Sequence, residues 1–327
     1  MNMYRTIKIA AALLLVQLGL IAALQLTSTD EDQPTANTPL LGFSPEAVTS
    51  LTISGPDNDR VILHKSDKGW VLPDYFNAPA SADQVSAVLA RLAGLKQGIA
   101  VATTAGAGKR FKVADDLFQR HVVIKAGEGV VGDLYVGTSP GFRQIHARTA
   151  GSENVVAVEL STFELETKAL QWLDKNMFMV KEEDIEAIAL VDILLEKKGT
   201  IWQLADLPEG QAIDDKAAAD LLAKVSGLTV QEVIDPQEAK KLFGKSPALQ
   251  FSITGKGGGK AEYSFVKGEG DYYILKHSER DLYCKVHSLP VDSLFKVNRE
   301  SLISWGQAAA PEKAPDGGAD TAKEDRQ

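Results

Sequence analysis

The chain repeats itself. Trp70 leads into a helix-like run from Ser81 to Leu95, and Trp202 leads into a second from Asp214 to Leu228. Val85, Val88, Leu89, Leu92 and Leu95 in the first run are answered at identical spacing by Ala218, Leu221, Leu222, Val225 and Leu228 in the second. That spacing is the apolar stripe a helix turns toward a core. Ser81 and Asp214 are both good N-cap residues, whose side-chain oxygens accept from orphan backbone N–H groups. Gly94 and Gly227 fall at matching places near the end, where glycine can adopt a left-handed terminating conformation. Repetition constrains the fold more than any single motif, because each copy needs partners for its own apolar faces.

The repeat extends to strands. Val48, Leu51 and Ile53 are matched by Ile185, Ile188 and Leu190. Val61 and Leu63 ahead of Trp70, and Ile193 and Leu195 ahead of Trp202, complete a hairpin in each half. Four short alternating segments follow the first helix, at Val122/Ile124, Leu134/Val136, Phe142/Ile145 and Val156/Val158. Their counterparts are Leu249/Phe251/Ile253, Tyr263/Phe265, Tyr272/Ile274 and Tyr283/Lys285. Helical runs Phe163 to Lys175, with Trp172, and Val291 to Ile303, with Trp305 just beyond, are expected to close the halves. Strand groups separated by helices, without regular βαβ crossovers, predict an α+β fold of two tandem antiparallel-sheet-plus-helices units.

The N-terminus predicts an address. Ile9 to Leu26 is apolar apart from Gln17 and Gln25, and its residues at the helical rise give about 27 Å, close to a bilayer core. Arg5 and Lys8 precede it, while Asp30, Glu31 and Asp32 follow. This asymmetry orients a transmembrane signal-anchor with the bulk of the chain outside the cytoplasm. A cleaved signal peptide is the competing reading, with Ile21-Ala22-Ala23 a fair cleavage match. The expected organisation is a cytoplasmic tip and anchor over 1–26, a tether over 27–47, α+β repeats over 48–180 and 181–305, and a disordered tail over 306–327. The expected location is the inner membrane, single-pass, with the bulk periplasmic.

Composition narrows the chemistry. A formal net charge of -9 argues against general nucleic-acid binding, which draws on lysine and arginine at phosphates. The single cysteine, Cys284, leaves stability to packing rather than to an intrachain disulfide. Gly255-Lys256-Gly257-Gly258-Gly259-Lys260 lacks the spacing and the following Ser or Thr of a phosphate loop, and reads as a hairpin turn. His277, Cys284 and His287 lack metal-site spacing and a fourth donor. No serine sits in a G-x-S-x-G elbow. His64, His121 and His146 of the first half are not answered by histidines in the second. Asp115 with Asp116, Glu182 with Glu183, and Asp214 with Asp215 read as helix-dipole partners or solvated groups. Trp70 and Trp202 read as core anchors. The candidate binding positions are therefore few: Arg143 and Arg148 near His146, which could meet an anionic group or an acidic partner, the adjacent Tyr272 and Tyr273, and His277. If a site exists, it is expected where the halves differ or between them. No cofactor or metal is expected.

Trp70 to Pro73 and Trp202 to Pro208, the capped amphipathic helix, Leu134-Tyr135-Val136-Gly137 and Leu242-Phe243-Gly244-Lys245-Ser246-Pro247 carry a family resemblance over about Val48 to Trp305. The chain resembles uncharacterised auxiliary components of gliding-motility-type ABC transport systems, which have one N-terminal membrane segment and duplicated domains of unknown function. The first half departs at Phe111 to Leu117, where the glycine and proline of the second are missing. The resemblance implies a place beside an ABC transporter. The expected function is that of a non-enzymatic, membrane-anchored accessory or binding component, with the bilayer and transporter subunits as partners and no nucleic acid. The alternative is a membrane-tethered periplasmic enzyme or glycan-binding protein with an asymmetric site.

Overall fold

A computed structural model describes residues 12–20, 38–104, 106–244 and 246–305, the last without the Trp305 side chain. Those residues form a mixed α+β protein whose sheets are antiparallel and whose helices are few. They divide into two compact units, one holding the residues through Trp70 together with Ala82–Gln171, the other Val71–Ser81 together with the residues from Trp172 onward.

Residues 12–20 form helix α1. The rest of the expected membrane span, like residues 21–37 and 306–327, lies outside the described residues. Among the described residues, no helix is long and apolar enough to cross a membrane. The large apolar side chains of α1, from Leu13 to Leu20, are 54–70% exposed.

The first half contains β1 (Ser50–Ser54), β2 (Arg60–Ser66), β3 (Gly69–Leu72), β4 (Ala78–Pro79), α2 (Ala82–Ala93), β5 (Ala100–Ala102), α3 (Ala107–Phe111), β6 (Val113–Ala114), β7 (Leu117–Phe118), β8 (Arg120–Ala126), β9 (Gly129–Val136), β10 (Ile145–Thr149), β11 (Val155–Val158) and α4 (Ala169–Trp172). Its sheet runs β4-β3-β2-β1-β8-β9-β10-β11-β5. Residues directly opposite across strands share a face. The registers Leu51↔Leu63, Leu51↔Ile124, Ile53↔Val122 and Val122↔Leu134 therefore place one continuous apolar layer on one side. These side chains are fully buried, as are Val85, Leu89 and Leu92 of α2 to within a few percent.

The second half contains β12 (Ile185–Leu190), β13 (Ile193–Lys198), β14 (Ile201–Leu204), β15 (Gln211–Ile213), α5 (Asp215–Ser226), β16 (Val230–Ile234), α6 (Pro236–Leu242), β17 (Leu249–Gly255), β18 (Lys260–Lys267), β19 (Tyr272–His277), β20 (Arg280–His287), α7 (Ser288–Phe295) and β21 (Ile303–Trp305). Its sheet runs β14-β13-β12-β17-β18-β19-β20-β16. With β4 set aside, both sheets are laid down along the same path. Asp214 caps α5 by accepting from the Ala217 N–H at 3.0 Å. Gly257 and Gly258, both at positive φ, form the β17–β18 turn where the lysine-glycine run stands.

Several expectations need correction. The closing helices are shorter than their apolar spacing suggests. The first reduces to a 3-10 turn, Thr162–Glu164, and the four-residue α4. The second stops at Phe295, because Asn298 caps a new 3-10 turn, Arg299–Leu302, before β21. Strong internal caps offer the backbone an alternative to helix continuation. Phe142 is not a strand residue. It is 89% exposed in a turn, where Arg143 has φ 57°. The Ser139 hydroxyl closes that turn by donating to the carbonyls of Gly141 and Gln144, so β10 begins only at Ile145.

Candidate functional site

The three first-half candidates separate. Arg143 stays in the turn, its guanidinium 5.4 Å from the Phe142 ring centre. His146 and Arg148, two residues apart on β10, share the sheet face opposite the apolar layer. That face is not solvated. A cap of α3, β6 and β7 covers it, with Ala107 and Val113 packed on Tyr135 and Val155 and edged by Phe111 and Phe118. Both candidates are buried and serve to hold the cap. Arg148 Nε donates to the Val113 carbonyl at 2.6 Å, Nη1 to that of Ser152 at 3.0 Å, and Nη2 to the Asp115 carboxylate. Its guanidinium also lies 4.7 Å from the Tyr135 ring centre. His146 Nδ1 shares a 3.0 Å hydrogen bond with the Thr138 hydroxyl, and its ring lies 4.3 Å from that of Phe111. Asp115, read as a helix-dipole partner or solvated group, has its side chain 77% exposed and also pairs with the buried Arg148.

Close backbone approach completes this junction. The Thr138 N–H donates to the Phe111 carbonyl at 2.8 Å, and Gly137 N–H to that of His146 at 2.9 Å. A methyl group on Gly137 would sit 2.5 Å from the Lys112 carbonyl oxygen and closer still to that of Phe111. Only glycine fits there. Beside it, His121 Nε2 and Asp133 Oδ1 lie 2.7 Å apart, and the imidazole stacks on Tyr135 at 4.2 Å.

In the second unit, the registers Lys267↔Tyr273, Tyr263↔His277 and Leu275↔Cys284 turn Tyr273, His277 and Cys284 toward the apolar layer. The Tyr273 hydroxyl donates to Asp292 at 2.8 Å. Burial raises its pKa, and the hydrogen bond to the carboxylate adds to the shift. His277 stacks on Phe178 at 5.0 Å and meets Tyr263 edge-on at 4.6 Å. Its Nδ1 accepts from the Glu279 N–H at 3.2 Å. Desolvation lowers the His277 pKa and pushes those of Tyr263 and Cys284 up to about 12. A thiol so placed is a poor nucleophile or metal ligand. Tyr272, on the other face, lies 5.3 Å from His287. The six candidate positions thus do not form one site.

A different place is open. A cleft of about 440 Å³ lies between the end of α2 and the edge of β11, with Ala90, Arg91, Gly94 and Leu95 on the helix side, Lys96 and Gly98 beyond them, and Ala157, Val158, Glu159 and Gln144 opposite. That volume is within the usual range of ligand pockets. Its origin is a difference between the two halves. In the second, β16 begins at Val230 immediately after the helix region and places Val230 opposite Val286 of β20. In the first, Lys96–Ile99 intervene, and β5 reaches β11 only with Ala100 opposite Val156. Beyond that point Gly98 runs beside Ala157, where a methyl group on it would lie 3.7 Å from the Ala157 carbonyl oxygen. Arg91 lies 3.5 Å from Glu164, while Lys96 and Glu159 have no ion-pair partner among the described residues. The sequence signal was the run Lys96-Gln97-Gly98-Ile99, which has no counterpart between Leu228 and Val230.

Residues 70–247 match the model of a family described as Domain of unknown function (DUF4340). The match covers more than half of the chain and includes the cleft, the cap and Arg148. The chain belongs to the DUF4340 family. No curated protein and no solved structure matches it. The DUF4340 match begins at Trp70 and ends at Pro247, so it spans most of the first half and the beginning of the second rather than a single repeat.

Proposed function

We propose that this DUF4340 protein is a non-enzymatic, membrane-anchored accessory or binding component of an ABC-type transport complex. Ile9 to Leu26 would be its single span, and two copies of one α+β unit would stand on the periplasmic side. The observation that carries the reading is α1. Leu13, Leu14, Leu15, Val16, Leu18 and Leu20 are all exposed on this one helix, and a helix that is apolar all round needs lipid or other apolar helices about it. The charge asymmetry around the segment supports the orientation, and the common strand path of the two sheets supports duplication. An anchor would hold the α+β units at high effective concentration beside a membrane partner. The resemblance to gliding-motility-type auxiliary components names the kind of partner.

The test is a detergent pull-down of the intact chain, repeated with the residues before Val48 removed. Retention of permease or ATPase subunits by the intact chain supports the reading, and loss on truncation places the contact in the anchor. Failure of both versions to retain any transporter subunit overturns it.

A further inference from the structure

Among the described residues, the most exposed large apolar side chains of the first unit, Ile99, Phe142 and Phe163, gather at one end of its sheet. They are 84–89% exposed, more than any large apolar side chain of α1. Ile145 stands opposite Val158, so the turn holding Phe142 and the chain leaving β11 toward Phe163 lie at the same sheet end. Ile99 follows Gly98, which runs beside Ala157 near that end. The cleft joins them, because its lining includes Gln144, close to Phe142 in the chain, and Arg91, which pairs with Glu164 next to Phe163. The chain also enters the unit here. The Gln97 N–H donates to the Thr38 carbonyl at 2.8 Å, and Pro39 bridges to Lys96. Only residues 21–37 separate α1 from Thr38, so the segment expected to span the membrane leads into this end of the sheet and not the opposite one. Lys96 and Arg143 are exposed beside the apolar side chains, and the acidic groups nearby are Glu159 in the cleft and Glu164, which Arg91 pairs. Single apolar side chains flanked by cations suit a lipid surface, which needs no matching pocket to receive them.

We propose that this end of the first unit rests on the bilayer surface, with Ile99, Phe142 and Phe163 entering the headgroup region and Lys96 and Arg143 meeting lipid phosphates. Aromatic and aliphatic side chains partition into the interface, while the long stems of lysine and arginine keep their charges at the level of the phosphates. The inference rests on the membrane-anchored reading and adds to it a face of the first unit that is turned to lipid.

The probe is a vesicle of phosphatidylcholine and phosphatidylglycerol carrying a nitroxide on the acyl chain near the headgroup. The full chain is reconstituted into it with a nitrobenzoxadiazole label on Phe142→Cys, or on Val130→Cys at the opposite end of the sheet, beside the turn where Ala126 pairs with Gly129. Cys284 is buried and takes no label. Quenching by the lipid nitroxide is expected to be at least about threefold stronger at position 142 than at position 130, and to fall by about half or more when Ile99→Asp and Phe163→Asp are added. Flotation with the vesicles is read separately. A chain that does not float overturns the anchored reading and this inference with it. A chain that floats with equal quenching at the two positions, or with quenching at 142 that the double substitution leaves unchanged, overturns the inference alone and leaves the face to a protein partner.

Discussion

The outer faces of the two sheets solve the same packing problem with different chemistry. In the second unit, α6 covers an apolar patch in which Ala239, Val266, Ile274 and Tyr283 pack with Ile234 and Phe243. The nearby Lys285–Glu232 pair is 2.8 Å long but more than a third exposed on each side. In the first unit, the cap formed by α3, β6 and β7 packs an apolar patch of comparable make-up. It is held in addition by a buried arginine, a histidine–threonine bond and a glycine that admits two carbonyls. Dispersed apolar contacts tolerate substitution, whereas directional bonds to backbone carbonyls fail when one donor is lost. The first cap thus depends on directional bonds as well as on apolar packing, and the second chiefly on packing.

That contrast predicts unequal responses to matched substitutions. The largest effect is expected at Gly137. Gly137→Ala should destabilise the first unit by about 3 kcal/mol, because the obstruction is backbone, while Gly268→Ala, whose methyl would lie 3.3 Å from the Tyr272 carbonyl oxygen, should cost about 1 kcal/mol or less. Urea unfolding with hydrogen exchange at residues 107–118 checks both, and equal costs would break the comparison. Arg148→Met should come next, at about 2 kcal/mol, since it strands the Val113 and Ser152 carbonyls. Lys285→Met should stay below about 1 kcal/mol, as expected for a part-exposed pair.

A smaller effect is expected at the second sheet's edge. Within the second unit, the Tyr75 hydroxyl donates to the Val233 carbonyl at 2.9 Å and accepts from its N–H at 3.1 Å, taking the place of a neighbouring strand on β16. Burial raises the Tyr75 pKa, so the hydroxyl stays protonated and able to donate at neutral pH. Tyr75→Phe should cost about 1 kcal/mol and speed amide exchange at Val233. Unchanged exchange would remove Tyr75 as the edge cap.

The smallest effect concerns His277. Its folded-state pKa is lowered by desolvation, so the unfolded chain takes up the proton first as pH falls below about 6.5. Stability is fully present above that pH, declines below it, and levels off once the folded-state pKa is passed. His277→Gln keeps an acceptor for the Glu279 N–H and should flatten the second unit's thermal midpoint between neutral and mildly acidic pH. A variant as acid-sensitive as the wild type would place the titrating group elsewhere.

Much of the scaffold was legible in the residues. The apolar stripe of Val85 to Leu95 and its counterpart from Ala218 are local periodicities, and α2 and α5 lie where they predict. Leu51, Ile53, Val122, Ile124 and Leu134 alternate and are buried as alternation requires. The candidate site was less legible. Arg143, His146 and Arg148 form a basic group in sequence, yet alternation on β10 and the arrival of the cap bury two of them and leave the third in a turn. The partners that decide their roles, Val113, Asp115 and Phe111, lie in a segment with little apolar periodicity. Lys96 and Gly98 had only the signal of an unmatched insertion.

Local physics accounts for what the sequence determined by itself: the helix stripes, the cap at Asp214, the strand alternation and the two-fold repetition of these marks. Each depends on residues a few positions apart, and the backbone period reads them directly. Only the tertiary structure decided which sheet face Arg148 and His146 occupy, that Val71–Ser81 belongs with the second unit, and that β5 joins β11 only from Ala100 onward. Those outcomes depend on register and on contacts between distant segments. A few inserted residues, Lys96 to Ile99, shift where a strand begins without altering the local pattern on either side.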